Sequence, residues 1–173
     1  MIKIMKYGQV PNSEVFARVS PSVNVESIVA DIIADVRANG DKAVLSYNLK
    51  FDKADLDTLL VSQQEIDEAF AAVDPEFLSI LQQAAENIRD FHSKQVRNSF
   101  VIADKPGIVL GQKVTPIEKV GLYVPGGTAA YPSTVLMDSV PAKIAGCQEI
   151  VIVTPPGKDG KVNPVILAAA KIA

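Results

Sequence analysis

Residues 119–154 read KVGLYVPGG, then TAAYPSTVLMDSVPAKIAGC, then QEIVIVT, and the fold turns on how these pieces alternate. Val120, Leu122 and Val124 alternate with Gly121 and Tyr123, while Ile150 to Val153 is an unbroken β-branched run. Such runs belong to core strands covered on both faces of a parallel sheet. Between the two strands Pro125 ends ladder pairing, and Gly126 and Gly127 permit positive φ and close approach of another molecule to the backbone. Ser133, just behind Pro132, is the expected N-cap of a crossover helix carrying Leu136, Val140, Ile144 and Cys147 at helical spacing. Pro141 removes one backbone hydrogen bond from that helix, which predicts a kink or break near Met137 to Val140. The unit is βαβ, and ligands of open α/β sheets settle at the carboxyl ends of strands, so the Tyr123 to Ser133 loop is the candidate site.

Upstream of this unit the pattern is mostly helical. Met1 to Tyr7 alternates isoleucines with lysines as a short edge strand would. From Val25 the positions Ile28, Val29, Ile32, Ile33 and Val36 share one helical face, with Ser22 or Asn24 as cap and Gly40 as stop. A second helix begins at Asp41 and ends near Lys50 to Asp52, followed by a short extended piece from Leu59 to Val61. Ser62 and Glu65 form a capping box for a helix over Gln63 to Ala72. Asp74-Pro75 opens the longest helix, whose stripe of Phe77, Leu78, Leu81, Ala84, Ala85, Ile88 and Phe91 runs to about Val96. Phe100 to Ala103 and Ile108 to Val114 flank Lys105-Pro106-Gly107 as a hairpin. The texture therefore divides into a helical region, 1–97, and a sheet-bearing region, 98–173, with a hinge between Arg97 and Pro116.

Downstream, Pro155-Pro156-Gly157 and Asp159-Gly160 make a turn, and Asn163 caps a helix opened by Pro164. A doubly wound sheet needs more strands than this to cover both faces, so a chain stopping in the helix after its second core strand is expected to be cut rather than complete. Helices separated from their partners expose apolar faces, which predicts self-association or disorder near the C-terminus.

Composition narrows the functional classes. Of 173 residues 48% are hydrophobic and 21% charged, the range of globular domains and not of disordered chains. Up to Phe100 there are 15 acidic and 10 basic residues and after it 5 and 7, and no basic cluster arises that would suit nucleic acid. No leader and no long apolar run is visible, and a single cysteine suits a reducing compartment, so the expected location is the cytoplasm and no membrane partner is expected.

Few side chains offer chemistry. His92 is the only histidine and has no second ligand at metal spacing, so a structural or surface role outweighs metal binding. Cys147 follows Gly146 on an apolar face and reads as small buried filler. Gly126-Gly127 is not a GxGxxG fingerprint, and an ordinary tight turn competes evenly with a ligand loop. Tyr123 could offer its ring and hydroxyl to a nucleotide, or could be a half-buried interface tyrosine. Asp31 with Asp35, and Glu65 with Glu68, read as solvated faces and helix starts, and no general acid and base pair stands out.

The run KVGLYVPGGTAAYPSTVLMDSVPAKIAGCQEIVIVTPP resembles the histidinol dehydrogenase family, whose members carry a GLYxPGG segment, a PSTVLM-like helix start and a PAxIAG turn. The likeness extends forward through Asn163 to Ala170 and backward through RANGDKAVLSYNLKFD at Arg37 to Asp52, in register over nearly the whole chain. The resemblance implies an α/β fold with a helical N-terminal region followed by an incomplete Rossmann-like, aldehyde-dehydrogenase-like parallel sheet, cut at the C-terminus. It further implies a zinc-dependent oxidation of L-histidinol to L-histidine with NAD, the last step of histidine biosynthesis, in an intertwined homodimer. By the family's pattern Tyr123 and Pro125 contact NAD, and Gly126 and Gly127 shape that loop. The family's zinc ligands, Glu-His acid and base pair and further NAD contacts lie in the C-terminal part of a longer chain, so no catalytic or metal residue is expected here.

Two other readings compete. A nucleotide-binding or dimerisation module without chemistry would suit a gene ending at Ala173. A different aldehyde or acyl-phosphate reductase would need a nucleophilic cysteine on an accessible loop, which only Cys147 could supply.

Overall fold

The computed structural model describes residues 4–17, 25–126 and 129–173. Gly127, the caps expected at Ser22 and Asn24, and Met1 to Lys3 of the expected edge strand lie outside the described residues. By packing, the chain forms two compact units, Met1–Gly40 and Asp41–Ala173, a division that does not coincide with the change from helical to sheet texture after residue 97.

The first unit holds helix α1, Asn12–Val15, and helix α2, Glu26–Asn39. Ile4 to Tyr7 forms no strand, contrary to the reading of its alternation, and Ile4 and Tyr7 are exposed. A short alternation without a partner strand has nothing to bond to. Val25 occupies the N-cap position of α2 without a side-chain bond, and Gly40 ends the helix at φ 56° with its N–H on the Val36 carbonyl at 2.8 Å.

The second unit begins with α3, Asp41–Tyr47, which widens into a π-helical turn over Asn48–Asp52 and stops at Lys53, held in the left-handed region at φ 61°. Leu59 to Val61 makes bends and no strand. Helix α4 spans Gln63–Ala72 and has the complete capping box: the Glu65 N–H donates to Ser62 Oγ and the Ser62 N–H to Glu65 Oε2. Helix α5, Pro75–Ser93, starts under Asp74, whose carboxylate accepts from the Phe77 N–H at 3.0 Å. It ends before Val96, and Phe91 is 65% exposed, so the buried stripe stops about one turn short of the sequence pattern.

Strands β1, Phe100–Lys105, and β2, Ile108–Gln112, pair antiparallel about Pro106-Gly107, where Gly107 supplies φ 76°. Both faces of this hairpin are exposed, Val101, Val109 and Leu110 included. Strands β3, Lys119–Tyr123, and β4, Glu149–Val153, pair parallel with Val120 beside Ile150 and Tyr123 beside Val153. The crossover helix α6 spans Pro132–Ala145, and α7 spans Pro164–Ile172. Among the described residues the architecture is mixed α/β with two small two-stranded sheets.

Helix α6 packs on the β3–β4 sheet and is flanked by α5 and α7, with α4 against α7. Leu81 and Ala85 of α5, Val124, Val135, Leu136 and Val140, and Ile166 and Ala169 of α7 make one core. Burying Leu136 and Val140, each 1% exposed, contributes about 1.5–3 kcal/mol apiece. Helix α7 is held in this core, with Ala168 and Ala169 fully buried.

Three readings of the βαβ unit need correction. Tyr131, not Ser133, is the N-cap of α6, because Pro132 takes the first helical position where its missing N–H costs nothing. The break expected at Pro141 is absent: the helix is continuous to a Schellman stop, with the Gly146 and Cys147 N–H groups on the Lys143 and Ala142 carbonyls at 3.0 and 3.1 Å. A proline so near the end removes one bond only, and packing on both sides holds the helix together. Third, β3 and β4 are covered on one face only: Tyr123, Val151 and Val153 are exposed while Val120, Leu122, Ile150 and Ile152 turn inward. The described residues supply one helical layer to this sheet, and the β-branched run is written for two.

Candidate functional site

The loop after β3 takes its position from the residues on either side of it. Val124 is fully buried in the core, and its N–H donates to the Val153 carbonyl at 2.9 Å, which makes the last rung between the strands. One residue before it, strand alternation turns Tyr123 to the uncovered face, where its side chain is 64% exposed. One residue after it, Pro125 is exposed and has no N–H with which to continue the ladder. Tyr123 and Pro125 thus stand in the open on either side of a buried anchor.

Gly126 differs from its expected role. Its φ is not among the positive values found at Gly8, Gly40, Gly107, Gly146 and Gly160, so no left-handed turn requires glycine there. The constraint is space: a Cβ at position 126 would lie 2.8 Å from Cγ and 3.2 Å from Cδ of Pro155. The chain's own second loop approaches this backbone through Pro155. Sequence reasoning saw Pro155 only as part of a turn; its signal was that both strands end in proline at the same level, at Pro125 and Pro155.

Behind the two loops lies a cavity of about 290 Å³ lined by Gly126, Ala130, Thr154, Pro155, Asn163 and Ile166 among others. Tyr123 does not line it. The first-turn amides of α7 are already committed, Val165 to Asn163 Oδ1 at 2.9 Å and Ile166 and Leu167 to the Asn163 carbonyl, so this helix start offers no free donors to an anion. Larger cavities of about 470 and 400 Å³ lie beside His92 and Pro141, and between Asp55–Val61 and the end of β4, away from the candidate loop.

The remaining candidates are placed as follows. His92 Nδ1 stands 2.6 Å from Gln95 Oε1 and the ring meets Phe91 edge-on, a local arrangement at the end of α5. Cys147 is half-buried, and its backbone completes the α6 stop. Among the described residues no group of three or more His, Cys, Asp or Glu side chains could hold a metal. Among the described residues two carboxyl groups are held below their ordinary range, Glu65 by the Ser62 backbone N–H and then its hydroxyl at a helix start, and Asp67 by Lys171 of α7 and then Gln63. Among the described residues no helix is long and apolar enough to cross a membrane.

Comparison with known proteins agrees with the sequence motifs. A family model described as histidinol dehydrogenase matches residues 17–173. The chain is 47% identical over 178 residues to a histidinol dehydrogenase of Clostridium acetobutylicum, a match covering all of this chain and 41% of that protein. It is 52% identical over 142 residues to the Bacillus subtilis protein of the same description, covering 82% of this chain and 33% of the relative. The crystal structure of histidinol dehydrogenase from Elizabethkingia anophelis superposes with a TM-score of 0.85 at 40% identity, over 90% of this chain and 36% of that one. The chain therefore spans at most about two fifths of the length of these relatives.

Proposed function

The chain belongs to the histidinol dehydrogenase family, and from that premise we propose that it forms the N-terminal part of an enzyme oxidising L-histidinol to L-histidine with NAD, in histidine biosynthesis. Residues 98–173 are read as the first part of an incomplete Rossmann-like, aldehyde-dehydrogenase-like NAD-binding domain, and residues 1–97 as the helical region before it. The whole enzyme is read as a cytoplasmic homodimer whose partner is a small-molecule substrate.

The observation that supports the nucleotide role is the exposure of Tyr123 and Pro125 at the carboxyl end of β3, on either side of the buried Val124. An exposed tyrosine ring offers a flat apolar face with a hydroxyl at its edge, which suits a nucleotide base or ribose. Val124 fixes the strand beneath the ring, and the Pro125 ring fixes its own φ and restricts Val124 before it, so little freedom is lost when a ligand settles. NAD, when bound, supplies the hydride acceptor; Tyr123, Pro125, Gly126 and Gly127 do no more than hold and orient it. The zinc of the family does not fit the described residues, since no three ligand side chains converge. We place the zinc ligands and the acid and base pair in the rest of a family-length chain, and no chemical step is assigned to this one.

Titration of the chain with NAD tests the reading, with Tyr123→Ala as control. Binding that the variant loses while its melting temperature stays put supports it; equal binding by both removes Tyr123 from the site. With histidinol and NAD present the chain alone is expected to show no turnover. A rate like that of a longer family member would bring the catalysis back into these residues.

A further inference from the structure

We propose that Pro155 is the positioning residue of the nucleotide loop: its ring, set against Gly126, fixes the path on which Pro125 and Gly126 leave Tyr123. This rests on the nucleotide reading above.

Beyond the Val124–Val153 rung the two loops leave side by side, one as Pro125-Gly126 and the other as Thr154-Pro155-Pro156. Pro125, Pro155 and Pro156 have no N–H, so the hydrogen-bond ladder cannot continue past the strands. Packing must take over, and it does so at one point, where the Pro155 ring occupies the space a Cβ at position 126 would need, 2.8 Å from Cγ and 3.2 Å from Cδ, with the Pro155 carbonyl oxygen at 3.3 Å. Two residues inside β3, Gly121 has nothing within 4 Å of the corresponding position, so the crowding belongs to the loop and not to the sheet. The φ of Gly126 is not positive, so an alanine there would be opposed by the Pro155 ring and not by its own backbone. The ring therefore sets how close the two loops lie, and with that the height of the loop beside the exposed Tyr123.

The experiment is a double-substitution cycle on the chain, with NAD affinity, melting temperature and amide exchange at Val124 and Gly126 as readouts. Gly126→Ala is expected to weaken NAD about tenfold or more, which corresponds to about 1.4 kcal/mol of binding free energy. Pro155→Ala, which removes Cγ and Cδ, is expected to weaken NAD several-fold and to speed exchange at Val124 and Gly126 while changing the melting temperature little. A ring that merely stabilised the fold would move temperature and affinity together. The double variant is expected to recover the affinity of Pro155→Ala alone. A double variant no better than Gly126→Ala overturns the proposal, because glycine is then required by the ligand itself; so does Pro155→Ala with wild-type affinity and exchange. Should Gly126→Ala fail to fold, the Pro155→Ala comparison decides. Should the wild-type chain hold no NAD, the nucleotide reading fails on its own, and the role of the ring is decided by whether Pro155→Ala speeds exchange at those two amides or leaves it unchanged.

Discussion

Lys171 on α7 donates to the carboxylate of Asp67 on α4, 104 residues earlier in the chain, and its ammonium stands 4.8 Å above the Phe70 ring. The contact ties the last helix to the first half of its unit, and it is part of why α7 packs and does not fray. Both side chains are partly exposed, so the ion pair is screened and weak on its own. Lys171→Met keeps the alkyl packing and removes the charge, and a fall in melting temperature of at most about 2 °C is expected. The folded pKa of Asp67 is lowered, so the contribution is present above the ordinary aspartate pKa and is lost as pH falls through the lowered value. Wild type and Lys171→Met should therefore converge as Asp67 protonates; a constant gap down to the lowest pH would show that the pairing with Asp67 is not the cause.

The Ser62–Glu65 box makes a similar statement at the start of α4. Ser62→Ala leaves the Glu65 N–H without its side-chain acceptor and should cost about 1 kcal/mol, measured by urea unfolding. Glu65→Gln separates the charge from the hydrogen bond. Because the folded pKa of Glu65 is lowered, first by the Ser62 backbone N–H, the stabilisation holds above the ordinary glutamate pKa and fades as pH drops through the folded value. The difference between wild type and Glu65→Gln should shrink over that acid range and stay flat near neutrality.

Ser139 is 3% exposed, on the core side of α6, and its hydroxyl has no hydrogen-bond partner among the described residues. A buried hydroxyl left unpaired costs about 1–3 kcal/mol. Ser139→Ala removes it with almost no change of volume, so the variant should melt at or above the wild-type temperature. A clear loss of stability would mean that the hydroxyl is bonded in solution.

Leu136→Ala empties the centre of the core between α5, α6 and α7 and is expected to cost about 2–5 kcal/mol. Phe91→Ala, although it removes a larger side chain from the same apolar stripe as Leu81 and Ala85, should change stability by less than about 1 kcal/mol because the ring is 65% exposed. Chemical denaturation of the two variants side by side checks the order, and equal losses would place Phe91 in the core after all.

Local chemistry made much of this legible beforehand. The Ser62–Glu65 box, Asp74 ahead of Pro75, the Gly40 stop and the Pro106-Gly107 turn were all readable because a cap or turn is made by residues within a few positions of one another. The parallel pairing of β3 and β4 followed from the length of the helix between them, since parallel neighbours need a crossover. Phe91 and the uncovered face of the β3–β4 sheet went the other way: apolar pattern announces that a side chain wants cover, and does not say which residues will give it.

The sequence by itself determined most of the helices, the order of the elements, the caps at Ser62, Asp74 and Asn163 and the family, because each is written in short-range spacing or in a long run of matching motif. Only the tertiary structure decided that the β3–β4 sheet is covered on one face, that Lys171 finds Asp67, and that Pro155 and not the backbone accounts for the glycine at position 126. These are steric and electrostatic relations between residues tens of positions apart, and they come into being only when the strands align and two loops are brought to the same end of the sheet.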